Sequence, residues 1–199
     1  MPLFKNAIII DIETLDTATT ACVFEIGALH VVDDKVVDTF AVTLNVVDQL
    51  FAGRTINQGT VEWHLGQKKN ATEEYDQRDK WTPHRTPDAL TKLLGFVEST
   101  QKYGPPAIWS RGTFDTDILA SLYGSFDRKE PWKYWQVRDA RSVENTLLEI
   151  MGLDGKEFFG DERKGAHMAL ADCRWQLDRL LSLYENFTKQ ITPIEDTDE

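Results

Sequence analysis

The sequence predicts a mixed α/β fold in which one sheet carries helices on both faces. Three strand-like segments come first, at residues 7–10, 23–32 and 35–44, and the first of them is entirely apolar. A fully apolar run is typical of a strand buried on both sides. After residue 85, helical and strand-like segments alternate, and this order predicts a mixed sheet between helical layers.

The three early segments predict an antiparallel meander. Asp33 and Asp34 form a turn that joins the second and third segments into a hairpin. Residues 45–85 are polar and are predicted to be irregular, apart from one helical piece at 60–65. Thr86, Pro87 and Asp88 then open a helix, since they supply a capping hydroxyl, a proline at the first helical position and an acid.

The second half of the chain adds two strands and so predicts a five-stranded sheet. Gly152 ends one of its helices. The predicted elements are, in chain order, a helix at 86–101, a strand at 107–109, a helix at 114–123, a strand at 136–139, a helix at 142–151, a loop at 155–165 and a helix at 166–186.

Size and composition predict a single soluble domain. The chain has 199 residues, of which 41% are hydrophobic and 28% charged, and no apolar run reaches the roughly 20 residues of a membrane span. We expect one domain over residues 1–189 and a flexible acidic tail over 190–199. With Cys22 and Cys173 as its two cysteines and no signal-like N-terminus, the chain is expected in the cytoplasm. A net charge of −11 argues against a broad basic face that coats nucleic acid, but it allows an enzyme that grips a few nucleotides.

Four acids and one histidine form the candidate site. Asp11 and Glu13 are two residues apart on a strand, so both side chains face one side, about 6–7 Å apart. This spacing suits two carboxylates that share a pair of cations about 3.5–4 Å apart. Asp115 begins a helix after a glycine turn, with Asp117 as a competitor. The plainer alternatives are an acidic strand end in water and a helix-terminal acid stabilised by the dipole.

His167 and Asp172 complete this set. On a continuous helix a spacing of five residues places them about 140° apart, so Asp172 is expected inside the helix and His167 at its entry. An imidazole with a pKa near 6.5 suits a general base at neutral pH. The plainer alternative for His167 is a surface histidine.

These motifs, in this order, resemble the DEDDh 3′–5′ exonucleases. The resemblance covers residues 7–185 and implies a ribonuclease-H-like fold. It also implies that two Mg²⁺ or Mn²⁺ ions are held by the four acids, that His167 is the general base, and that 5′-mononucleotides are released from the 3′ ends of single strands or overhangs. Relatives include dimers, so the resemblance also implies a candidate homodimer. Residues 56–63, 109–112 and 137–142 look like the group that holds phage exodeoxyribonuclease A and mycobacterial 3′–5′ exoribonuclease-like domains, whose members divide over DNA and RNA.

The loop after Glu13 departs from the family pattern. Many relatives have a glycine there, whereas this chain has Thr14, Leu15 and Asp16. In the family this loop contacts the terminal nucleotide, and Leu15 would serve as the apolar wedge against the base.

Further substrate contacts are predicted from side-chain chemistry. Aromatic rings stack on exposed bases, and arginines bind phosphates. Core packing is the favoured interpretation for two of the aromatics, Trp109 and Phe114, and ordinary surface charge explains the arginines equally well. The candidates are Trp63, Trp109, Phe114, Arg111, Arg138 and Arg141.

Three other functions remain open at this point. A non-catalytic nucleic-acid-binding or scaffold domain can keep the same fold, but it usually lacks an acid, and none is missing here. A metal-dependent endonuclease of this fold would cut circles. An oligonucleotide scavenger would differ only in the length of its substrate.

Overall fold

The computed structural model describes residues 1–67, 82–160 and 167–191. Its sheet has five strands in the order β3-β2-β1-β4-β5. The first three pair antiparallel, and β4 and β5 run parallel to β1. The predicted mixed five-stranded sheet is therefore confirmed. The strands are β1 (Asn6–Thr14), β2 (Val23–Val32), β3 (Lys35–Thr43), β4 (Ala107–Ser110) and β5 (Val137–Asp139).

Two helices in the described residues were not predicted from the sequence. The first, α1, lies in the region predicted to be irregular, and α6 lies in the predicted loop at 155–165. Both are short and begin at a side-chain cap, Asn45 for α1 and Asp154 for α6, rather than at a long apolar stripe. The helices are α1 (Val46–Phe51), α2 (Gln58–Gln67), α3 (Thr86–Thr100), α4 (Phe114–Ser125), α5 (Ala140–Met151), α6 (Gly155–Phe159) and α7 (Ala169–Ile191).

Several predicted boundaries change. Helix α7 begins three residues later than predicted and continues to Ile191, so the tail predicted at 190–199 starts inside the helix. The rest of that tail, at 192–199, lies outside the described residues, as do 68–81 and 161–166. Among the described helices, none combines the length and apolar character needed to cross a membrane.

Strand β1 separates two hydrophobic cores. Ile8, Ile10 and Ile12 pack with α3 and α4 on one face, while Ala7 and Ile9 pack with α5 and α7 on the other. Side chains alternate between the two faces along a strand, so the side chains at positions 11 and 13 point to the same face as that of Ile9. The first acid pair therefore points to the face that α7 covers.

Gly27 allows α7 to approach the sheet closely. It pairs with Asp11 across β1 and β2, and a Cβ atom built on it would lie 2.3 Å from the backbone nitrogen of Leu170 and 2.4 Å from the carbonyl carbon of Ala169. The Cys173 thiol also donates to the Gly27 carbonyl oxygen at 3.3 Å. Only a residue without a side chain lets the first turn of α7 lie directly over this point.

We expect Gly27→Ala to displace the first turn of α7 and to lower the free energy of unfolding by at least about 1–3 kcal/mol, because backbone atoms cannot move aside as a flexible side chain can. Urea denaturation measures the change. Gly95→Ala is the matched control, since Gly95 lies in α3 with nothing near its missing Cβ. A helical alanine there should raise the free energy of unfolding by about 0.5–1 kcal/mol. Equal stability of the two variants would contradict the close approach.

Candidate active site

Asp11 and Glu13 lie within β1, which continues to Thr14. Glu13 is buried, whereas Asp11 is partly exposed. The pairing of β1 with β2 is regular up to Glu13 and shifts at Thr14, so both acids are held in a regular ladder. A rigid central strand thus fixes the first two carboxylates, as a preorganised site requires.

Asp115 lies in the first turn of α4 and reaches back to β1. Its Oδ1 accepts a hydrogen bond from the backbone N–H of Ile12 at 3.4 Å, so the carboxylate lies beside the segment between Asp11 and Glu13. Asp115 is buried, whereas Asp117 is exposed. The structure therefore favours Asp115 over its competitor as a member of the site.

Helix α7 and the residue before its start supply the remaining groups. Asp172 is buried, and its Oδ2 accepts the backbone N–H of His167 at 3.2 Å. His167 has a left-handed backbone (φ 70°), which turns the chain into the helix. One ring nitrogen of His167 and one carboxylate oxygen each from Glu13 and Asp172 lie within 4.8 Å of one another. Three distant segments therefore converge at one place.

Glu25 is a fifth carboxylate, which the sequence interpretation missed. It is fully buried on β2, opposite Glu13 in the strand pairing, and its Oε1 accepts the backbone N–H of Ala169 at 3.0 Å. A carboxylate at a helix N-terminus satisfies an amide and complements the helix dipole. The signal in the sequence was a glutamate within the otherwise apolar start of β2.

The acid cluster concentrates negative charge in a buried space. Burial raises the pKa of Asp115 to about 7, against backbone hydrogen bonds that lower it, and the charge of Asp172 raises it further. Burial also raises the pKa of the Cys173 thiol, and Asp11, Asp115 and Asp172 add to that effect. Several carboxylate oxygens gathered in one place are the ligands that hard divalent cations prefer. The residues present therefore fit such ions.

A cavity of about 530 Å³ opens beside Glu13. Trp63 and Phe114 line it and expose 45% and 41% of their surface. The preference for core packing was therefore wrong for Phe114, because the start of α4 lies at the cavity rather than over the core. It is confirmed for Trp109, which is buried against the edge of Phe4 with ring centroids 5.2 Å apart. Trp63 lies on α2, which contains the helical piece predicted at 60–65.

Aromatic contacts join the cavity to His167. The rings of Trp63 and His167 meet edge-to-face with centroids 4.4 Å apart, and Trp63 contacts His64 in the same manner at 4.8 Å. The Nε2 of His64 lies 2.9 Å from the carbonyl oxygen of Thr14. His64, another residue that the sequence interpretation missed, thereby ties α2 to the end of β1.

The loop after β1 is fixed through its backbone. Leu15 donates its N–H to Cys22 at 2.9 Å, and its carbonyl accepts the N–H of Asn57 at 2.8 Å. The guanidinium of Arg54, which is buried, donates to the carbonyl of Ala21. Leu15 is not among the residues that line the cavity, whereas Thr14 and Asp16 are.

The three candidate arginines lie in different settings. Arg111 donates to both carboxylate oxygens of the buried Glu144, at 2.7 and 3.2 Å. Burial by itself would raise the pKa of Glu144, but hydrogen bonds from Arg179 and Arg111 lower it to about 2. Arg111 is therefore committed to a structural ion pair, while Arg138 and Arg141 are exposed.

We expect Asp115→Asn to stabilise the protein in EDTA at pH 8 by on the order of 1 kcal/mol or more. The folded protein keeps the Asp115 proton up to about pH 7, and the unfolded chain releases it near 3.8. Wild-type stability due to this group therefore falls as the pH rises through that window, and the variant should lack this fall. Urea denaturation at pH 5 and 8 measures it.

We expect Mg²⁺ to stabilise the wild type and to stabilise this variant much less, because Asp115 is a predicted metal ligand. Asp117→Asn is the control: this neighbouring side chain is exposed, so neither the pH dependence nor the response to Mg²⁺ should change. A fall of stability with pH that is the same in Asp115→Asn and wild type would reject the raised pKa.

Solved structures share this fold at low sequence identity. A full-length 3′-exonuclease aligns with a TM-score of 0.52 at 15% identity, over 98% of this chain and 93% of that one. A 3′-exonuclease solved with a histone mRNA stem-loop aligns with a TM-score of 0.52 at 15% identity, over 92% of this chain and 65% of that one. E. coli ExoI, in a zinc-bound complex with single-stranded DNA, aligns with a TM-score of 0.62 at 12% identity, over 94% of this chain. The chain spans 42% of the length of ExoI.

These likenesses confirm the predicted ribonuclease-H-like fold. No curated protein matches the chain by sequence. A family model, that of the Rv2179c-like 3′–5′ exoribonuclease domain, matches residues 6–183. That match covers most of the chain and confirms the predicted superfamily. The chain belongs to the family of Rv2179c-like 3′–5′ exoribonuclease domains.

Proposed function

We propose that this chain hydrolyses single-stranded nucleic acid or 3′ overhangs from the 3′ end and releases 5′-mononucleotides. The observation that carries the proposal is the convergence of His167 with Glu13 and Asp172 within 4.8 Å, beside an Asp115 that is bonded to β1. Family membership supports the direction of cleavage and, through the family's name, RNA as a substrate.

Asp11, Glu13, Asp115 and Asp172 would hold two divalent cations, Mg²⁺ or Mn²⁺. Bound there, such ions would lower the pKa of a water molecule and stabilise charge on the leaving oxygen. The protein contributes the fixed geometry: β1 holds the first two acids, α4 the third and α7 the fourth. Burial of Asp115 and Asp172 keeps bulk water from competing for these oxygens.

His167 would take the proton from the attacking water on a ring nitrogen. Its backbone N–H is tied to Asp172, and its ring lies against Trp63, so the imidazole is held at the edge of the acid cluster. A general base that is already held in its reactive orientation loses little further conformational entropy when it takes the proton.

The cavity beside Glu13 would receive the terminal nucleoside. Its exposed rings, Trp63 and Phe114, offer stacking surfaces, and Asn57 and Thr60 add polar groups. Among the described lining residues, the carboxylates of Glu13 and Asp16 outnumber the single histidine, and no lysine or arginine is present. Such a lining suits a base and sugar better than a phosphate.

A panel of labelled substrates tests the function. Single-stranded RNA, single-stranded DNA and a 3′-overhang duplex, each labelled at the 5′ end, are incubated with Mg²⁺, Mn²⁺ or EDTA, together with an internally labelled circle. We expect a metal-dependent ladder that shortens from the 3′ end, and an intact circle. Asp11→Ala should abolish it.

Other outcomes of the panel would contradict the proposal. A cut circle would indicate an endonuclease. Folded, metal-loaded protein that binds the strands without cleaving any of them would indicate a non-catalytic binding domain. Turnover retained in Asp11→Ala would reject the assignment of the acids.

We expect His167→Ala to lower kcat by roughly 10²–10⁴-fold while metal binding is largely kept, because the imidazole moves a proton rather than holding an ion. Turnover and calorimetric titration with Mn²⁺ are measured on the same samples. His84→Ala is the control, since His84 is exposed and lies outside the cluster. Loss of Mn²⁺ binding in His167→Ala would instead make His167 a ligand.

A further inference from the structure

A surface formed by Lys133, Tyr134, Trp135, Arg138 and Arg141 lies outside the acid cluster and the cavity described above. Tyr134 and Trp135 expose 84% and 59% of their surface, and the three cationic side chains are also exposed. Large aromatic side chains that stay in water next to cations are the composition of a single-strand nucleic-acid surface. We call these five residues the aromatic-basic surface.

The charge of this segment is opposite to that of the chain. Residues 128–141 contain five arginines and lysines but only Glu130 and Asp139 as acids, within a chain of net charge −11. Arg138 donates from Nη1 to the carbonyls of Trp135 and Val137, which leaves its charge uncompensated. In the part of the chain that the structure describes, none of the three cations of the surface has a carboxylate partner.

The aromatic pair is displayed on a rigid turn. Trp132 is buried in the core just before it, and Gln136 just after it donates to the Pro106 carbonyl at 2.7 Å and accepts the Lys133 N–H at 2.8 Å. Tyr134 and Trp135 contact each other edge-to-face with centroids 5.0 Å apart. A platform that is already ordered loses little entropy when a ligand binds.

The position of the aromatic-basic surface suits the part of the substrate strand that lies 5′ to the scissile bond. Val137 pairs with Ile108, and Ile108 pairs with Ile8, so Val137 lies level with a point three residues before Asp11. With strand spacings of about 4.8 Å and rises of about 3.3 Å per residue, Val137 lies roughly 14 Å from Asp11, and Arg138, the next residue along β5, lies nearer. Arg141 lies at the start of α5, just beyond the carboxyl end of β5. Because β5 runs parallel to β1, this is the same end of the sheet at which Asp11 and Glu13 lie.

We propose that the aromatic-basic surface binds the 5′-ward part of a single-stranded substrate, a few nucleotides from the cleaved bond. Bases stack on Tyr134 and Trp135, and phosphates meet Arg138, Arg141 and Lys133. The proposal rests on the proposed exonuclease function, and it makes long strands better substrates than dinucleotides. The terminal nucleoside binds elsewhere, in the cavity beside Glu13.

The test compares wild type with the double variant Tyr134→Ala/Trp135→Ala on two substrates, a dinucleotide and a strand of about twelve nucleotides, which is long enough for a single-strand site. We expect KM for the long strand to rise roughly 5- to 100-fold at unchanged kcat, and the dinucleotide kinetics to stay the same. Phe51→Ala is the matched control, because Phe51 is 90% exposed on α1, away from this segment.

A second measurement separates this surface from catalysis. Fluorescence anisotropy of the labelled long strand in EDTA reports binding without turnover. The variant Arg138→Gln/Arg141→Gln should weaken binding. The slope of the logarithm of the binding constant against the logarithm of the salt concentration should become shallower by about 0.7 for each lost phosphate contact. If the wild type cleaves no substrate but the variants still bind the strand more weakly than the wild type does, the exonuclease proposal is rejected. The proposal that this surface binds single strands is then kept.

Two outcomes would overturn the surface. If the wild type is active and both double variants show unchanged KM and unchanged anisotropy, the exonuclease proposal is kept. The proposal that this surface binds the substrate is then rejected. A variant that changes from dimer to monomer by sedimentation, with binding lost only as a result, would make these residues a contact between copies of the chain.

Discussion

The close contact between the first turn of α7 and strand β2 is the constraint on which the site depends. At Gly27 the helix backbone occupies the space of a Cβ atom, and at Glu25 a buried carboxylate accepts the first amide of the helix. Gly27 lies opposite Asp11 and Glu25 opposite Glu13. Gly27 and Glu25, which position the start of α7, are therefore the strand partners of the two acids on β1. A shift of α7 would move Asp172 and His167 together, away from Asp11 and Glu13.

This arrangement brings charge together at a cost in stability. Five acidic side chains gather at one end of the sheet, and burial raises the pKa of Asp115 to about 7. Hydrogen bonds from the backbone of Ile12 and Ala169 hold two of them in place. Natural active sites commonly keep such unfavourable electrostatics because the geometry serves the ligand rather than the free protein.

The two ends of a substrate would meet different surfaces. The cavity at Glu13 combines aromatic rings with acidic and neutral polar groups, whereas the aromatic-basic surface combines rings with cations. Arg111, which lies between these regions in the sequence, is committed to Glu144 and stacks over Trp175 at 4.9 Å. The cations of the aromatic-basic surface, by contrast, are exposed and can meet phosphates at the β5 side of the sheet.

The sequence alone was enough to predict the strands, the long helices and the four acids proposed for the site, because these predictions depend on local patterns. Apolar runs, capping residues and the spacing of Asp11 from Glu13 can be read along the chain. It did not reveal the short helices α1 and α6, which depend on a single cap each, nor the exposure of Phe114. The roles of Glu25, Gly27 and His64 were decided by tertiary structure, because each acts on a backbone far away in sequence. An amide 144 residues distant leaves no periodic signal at Glu25.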